Sequence, residues 1–339
     1  MAAQYGMRTK NASGVVTLDT TVTSIRSIKT VEITGNGAWD QYFNIPEIKQ
    51  GSFVVVQSPS PNGYSGVEAW WSVGRLHLRR AGSGRYSIKI MSYGDDSGSE
   101  VRYGVRARND DSLVQIDNLN RVMSVIDHGA FAIGRRGPGD YIIKNGGTFK
   151  TPIRTIEQPY VFLTSDTMMM VCKYSLSGSP GNWTGFTVEG WFGGSFQTAY
   201  YVVKWMVGGY QASAADGEFG IRIRDESSQR IFSSSDNLLL LNGTPSADRF
   251  KVSGSDVVVG PTLWSSYRMA WTGSYDDYFL ASSLISPFTD GYNFFDNPAG
   301  FFSGNRSILQ AYSGSQISST NAAGVNGRTL FAGRPMRPL

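Results

Sequence analysis

Few side chains in this sequence could carry acid–base or metal chemistry. His77 and His128 are the only imidazoles, and Cys172 is the only thiol, among 339 residues. A zinc site of the usual kind takes three or four His or Cys ligands, so zinc is excluded and neither metal nor cofactor is expected. A Ser-His-Asp triad would have to use one of the two histidines. His77 lies in the alternating segment RLHLRR and reads as a residue on a strand face rather than a base. Cys172, within MMMVCKY, cannot form an internal disulfide and reads as a small buried thiol. Glycoside hydrolysis needs two carboxylates flanking a sugar. The pairs Asp95–Asp96, Asp110–Asp111 and Asp276–Asp277 are instead adjacent in turn-like segments and read as turn formers. GRRGPGD at 134–140 lacks the lysine-serine pair and helix of a phosphate cradle. No enzymatic activity is expected.

Aromatic residues are the better candidates for contact with another molecule. Trp70, Trp71, Trp183, Trp191 and Trp205 could stack on sugar rings, but strands also favour aromatics as core. Trp70 and Trp71 are neighbours, so in one regular strand they cannot both face inward, and one is exposed or at an interface. The run YNFFDNPAGFF at 292–302 is rich in Asn, Pro and Gly. It reads as a loop carrying Tyr292, Phe294, Phe295, Phe301 and Phe302 outward. Packing on another subunit or back over the chain is favoured over ligand contact.

The net charge of +4 comes from scattered basic residues, with local clusters only at Arg75, Arg79 and Arg80 and at Arg135 and Arg136. A nucleic-acid binder concentrates its Lys and Arg on one face, so this spread reads as solvated surface. No apolar stretch reaches the roughly 18 residues of a membrane-spanning helix, and MAAQYGMRTK lacks the apolar core of a signal peptide. A soluble protein made in a cytoplasm is expected.

The elements that must position these residues are strands. Forty glycines and many Ser, Thr and Asn residues supply turns, and apolar runs such as SFVVVQS, YVFLTS and AYYVVKWMV are short. The one helix candidate, 113–126, alternates as well as it spirals and is interrupted by Asn118 and Asn120. Seven or so strands in about 100 residues is the pattern of an antiparallel sandwich or barrel.

The chain also repeats itself. QYGMRTKNASGVVTLD at 4–19, RYGVRARNDDSLVQID at 102–117 and FGIRIRDESSQRIFS at 219–233 share an aromatic-glycine start and alternating basic residues. Each reads as a hairpin: basic side chains face water, apolar ones face a core, and Gly14 suits a left-handed turn position. YSIKIMSYG at 86–94 and YVVKWMVGG at 201–209 close the first two copies, with SILQAYSG at 307–314 as an eroded third. Phe43, Pro46 and Phe53 are echoed by Phe149, Pro152 and Tyr160. Markers in one order imply tandem duplication. The expected architecture is all-β: three tandem antiparallel β-sandwich domains, at 1–98, 99–213 and 214–339.

The opening pattern, Tyr-Gly-x-Arg-x-Lys/Arg-Asn, a small turn and an apolar strand ending in Asp, resembles the start of small tail proteins of tailed bacteriophages. It covers about an eighth of the chain directly. The resemblance implies a virion component of the distal tail, baseplate or fibre region, synthesised in the cytoplasm of a host bacterium. It implies other tail proteins as partners and a homo-oligomer around the tail axis, a trimer being one such form. The expected role is structural and non-enzymatic. A host receptor-binding protein recognising a bacterial glycan or pilus is the alternative, and a polysaccharide depolymerase the least favoured reading.

Overall fold

The computed structural model describes residues 8–10, 16–19, 26–49, 52–57, 68–79, 83–92, 104–108, 113–117, 122–134, 142–166, 170–191, 200–210, 221–224, 228, 230–241, 251–259, 262–270, 277–281, 299–302, 308–313 and 332–339. Among them the protein is all-β, with twenty-five strands. The 113–126 segment divides between two strands, as its alternation allows, rather than forming a helix.

Six strands form the first pair of sheets: β3 (Arg26–Thr34), β4 (Asp40–Asn44), β5 (Phe53–Gln57), β6 (Glu68–Ser72), β7 (Arg75–Arg79) and β8 (Arg85–Ser92). They pair in the orders β3-β8-β5 and β4-β7-β6. Period-two alternation puts Val54 and Val56 of β5, Leu76 and Leu78 of β7, and Tyr86, Ile88 and Ile90 of β8 into one buried cluster. Both sheets therefore bury side chains against each other.

The same order recurs further along. β11 (Ser124–Gly134), β12 (Ile142–Ile153), β13 (Tyr160–Thr164), β14 (Met170–Ser179), β15 (Asn182–Trp191) and β16 (Tyr200–Gly209) pair as β11-β16-β13 and β12-β15-β14. Beyond them stand β19 (Leu239–Leu241), β20 (Lys251–Val259), β21 (Thr262–Ala270), β22 (Tyr278–Leu280), β23 (Ala299–Phe302), β24 (Ile308–Ser313) and β25 (Ala332–Pro335). These pair as β22-β25-β19 and β23-β24-β21-β20. That is the same first-sixth-third and fourth-fifth-second order, with β20 as an extra edge strand.

The second and third sets share their sheets. β13 pairs with β22 and β14 with β23, giving one sheet of six strands and one of seven, so both sheets cross from residues before 213 to residues after 214. The six-stranded sheet curls into a half-barrel. Its edge strands meet through a bridge between Ser124 and Leu238, flanked by hydrogen bonds from Val125 N–H to the Asn237 carbonyl (2.7 Å) and Leu239 N–H to the Met123 carbonyl (2.9 Å). β13 lies in its middle, and all five of its residues are buried, as its unbroken apolar run requires.

The opening stretches are hairpins: β1 (Arg8–Lys10) with β2 (Val16–Asp19), β9 (Gly104–Arg108) with β10 (Leu113–Asp117), and β17 (Arg222–Arg224) with β18 (Arg230–Ser233). The first and third share one register and one bulge, which leaves Thr17 and Ile231 out of the ladder. The second is regular and shifted by two places, with Gly104 opposite Asp117. In the third, Ile223 is buried between exposed Arg222 and Arg224. Ser228, at the place of Gly14, has φ 61°, the left-handed conformation expected of that turn position.

Two sequence equivalences shift in register. Phe53 lies opposite Met91 and Phe162 opposite Met206, so the counterpart of Phe53 is Phe162 rather than Tyr160. The segment 308–313 is β24, in the fifth place of its set, and the closing sixth place belongs to β25.

Candidate functional site

The outer face of β4, β7 and β6 carries the most distinctive surface chemistry among the described residues. Cross-strand register aligns three rows: Asp40–Arg79–Glu68, Tyr42–His77–Trp70 and Asn44–Arg75–Ser72. Tyr42 is 57% exposed, and Trp39, just before β4, is 59% exposed. The Tyr42 and His77 rings stack, with centroids 4.3 Å apart and planes at 14°. The Arg75 guanidinium lies 4.6 Å from the Tyr42 centroid. Asp40 Oδ1 accepts a hydrogen bond from His77 Nε2 at 2.8 Å, which fixes the imidazole in the stack. The platform therefore offers π faces beside charged and hydrogen-bonding groups, a chemistry that suits a sugar or a planar polar ligand.

The matching outer face in the second set is different. There Lys144, Asn145, Thr148, Ser177, Thr184 and Thr187 line an open trough of about 450 Å³ floored by glycines. A Cβ on Gly146 would stand 1.9 Å from the Phe186 carbonyl oxygen, and one on Gly147 would stand 2.7 Å from the Trp205 indole. The glycines let β12 and β15 and the indole beneath them approach closely.

A buried cation joins the first set to the second. Lys89 of β8 is 2% exposed. Its Nζ lies 4.9 Å from the Tyr160 centroid and donates to the Gln158 carbonyl at 3.3 Å. Burial pushes its pKa down to about 8, against the opposing pull of Glu157 and Glu32. Its counterpart in the closing motif, Lys204, is only half-buried and pairs with Asp166. The methionines of both copies of that motif, Met91 and Met206, enter one cluster with Tyr160, Phe162, Tyr278 and Leu280.

Of the residues singled out from sequence, Trp71 is half-buried, packs on the clusters of both sets, and donates its indole N–H to the Ser52 carbonyl (2.9 Å). Trp70 holds the register position opposite His77. Trp183 and Trp205 are core. Phe301 and Phe302 stand in β23, between β14 and β24, so the loop reading fails for that end of 292–302. Tyr292, Phe294 and Phe295 lie outside the described residues. Asp277, read as a turn former, is fully buried. Half-burial, reinforced by the charge of Lys150 and opposed by Asp127, holds the His128 pKa below the usual imidazole value. Among the described residues no group of three His, Cys, Asp or Glu could hold a metal ion.

Sequence reasoning missed Trp39 and Tyr42. DQYFN shows alternation, but only register brings Tyr42 beside His77. Compared with known families, characterised proteins and solved structures, the chain shows no significant match.

Proposed function

We propose that this chain is a non-enzymatic structural component of a bacteriophage tail, built from three tandem β-sandwich units related by internal duplication. The observation that carries the reading is the opening hairpin motif, which resembles the start of phage tail proteins and stands in the chain three times. The recurring strand order and the shared bulge of the first and third hairpins support duplication. Tandem rigid β-units suit a load-bearing part, and the chain assembles as a homo-oligomer with other tail proteins around the tail axis. The test is the protein content of purified particles. A fixed number of copies per tail is the expected result, and absence from the particles overturns the proposal.

One observation favours a second reading, host recognition: the exposed stack of Tyr42 and His77 beside Arg75. On that reading the purified chain binds host cells and blocks phage adsorption. Tyr42→Ala then weakens binding by roughly tenfold, the effect of one lost aromatic contact, and leaves the fold intact because the ring is exposed. A purely structural part does neither.

A further inference from the structure

The second and third sets meet about a local two-fold axis. β13 reads Tyr160-Val161-Phe162-Leu163, and its counterpart, β22 with the residue after it, reads Tyr278-Phe279-Leu280-Ala281. Tyr160 and Tyr278 enter the same cluster, as do Phe162 and Leu280, while Val161 and Phe279 enter the other. Phe162 is the register partner of Leu280. Phe162 thus faces its own counterpart, and Leu163, one place on, faces Phe279, the counterpart of Val161 one place back, which is the register a two-fold axis at Phe162 produces. The fourth strands, β14 and β23, also pair antiparallel, Met170 opposite Phe301.

Among the described residues the first set has no such mate. Its third strand, β5, and its fourth, β6, each end their sheets. Among the described residues no strand pairs with the outer edge of β5. That edge, FVVVQ, carries no charge, proline or glycine to blunt it. The face of β8 bearing Lys89 and Met91 is already covered by the second set, so the strand-pairing surface left to the first set is its sheet edges.

We propose that the first unit pairs with the first unit of a second copy of this chain, β5 against β5, across a two-fold axis at Phe53. Phe53 is the counterpart of Phe162, through the shared partners Met91 and Met206, so the second copy's Phe53 lies opposite. Three units leave one unmated, and two chains make all of them paired. The inference rests on strand order and register, not on the tail reading.

The test begins with sedimentation of the full chain across the micromolar range. A mass of twice the 37.1 kDa chain, or an even multiple, is expected. The second arm is disulfide trapping in a Cys172→Ser background. Phe53→Cys gives a covalent dimer on mild oxidation, because residues facing across the axis have Cα atoms within the roughly 7 Å a disulfide spans. Gln57→Cys, four residues from the axis, does not, since about 3.4 Å per residue puts its Cα atoms roughly 27 Å apart. A monomer throughout, a trimer, or trapping through Gln57→Cys alone overturns the inference. If Phe53→Cys does not fold, the mass of the unmodified chain still decides. A monomer leaves the tail reading standing, and absence from particles leaves the dimer standing.

Discussion

A lysine taken out of water holds its proton less tightly, and Lys89 makes that a property of the junction between the first and second sets. Its ordinary pKa of 10.5 falls to about 8 in the folded chain. Below pH 8 both folded and unfolded chains carry the proton, and the cost of burying the charge is present in full. Between about 8 and 10.5 the folded chain releases its proton first, so the unfolded chain binds more protons and stability rises with pH. The gap corresponds to about 3 kcal/mol. Lys89→Met abolishes that rise and is more stable than the natural chain at pH 7 by about 1–2 kcal/mol, the lost ring contact offsetting part of the gain. Denaturant unfolding of both chains at pH 7 and pH 10 checks it; parallel curves, with the variant less stable, go against it. Lys89 and Lys204 occupy the same place in one motif, yet one is buried and the other paired with Asp166. That difference was not legible in sequence, because it depends on which set covers which face.

At the scale of elements, the strands declared themselves where a local signal existed. Alternating or unbroken apolar runs marked β5, β7, β8, β13 and β16, and the repeated openings marked the hairpins. β4 and β11 escaped because DQYFN is short and SVIDHGAFAIG has no clean period. The Tyr42–His77–Trp70 row escaped for another reason: it joins three strands distant in sequence, and register is fixed by the folded sheet. One turn was legible from its relatives. Gly14 anticipates a left-handed residue, and in the third copy Ser228 occupies that conformation with a Cβ. Ser228→Gly relieves roughly 1 kcal/mol of backbone strain, partly offset by the greater freedom of glycine in the unfolded chain. A small rise in melting temperature is the expected result, and a fall would mean that the serine side chain contributes more than its strain costs.

At the scale of the molecule, one strand order stands in three successive sets of strands, and the second and third sets share both sheets. Sequence similarity counts copies, whereas pairing across β13–β22 and β14–β23 depends on which edges remain open once each copy has folded. Two sets joined edge to edge share both sheets, while the first set ends at β5 and β6 among the described residues. The most direct measurement is electron microscopy of intact particles of a phage encoding this chain, labelled with gold-conjugated antibodies raised against it. Label at the distal end of the tail is the predicted result, and particles that bind no label there, with the chain found only in the host lysate, would contradict it.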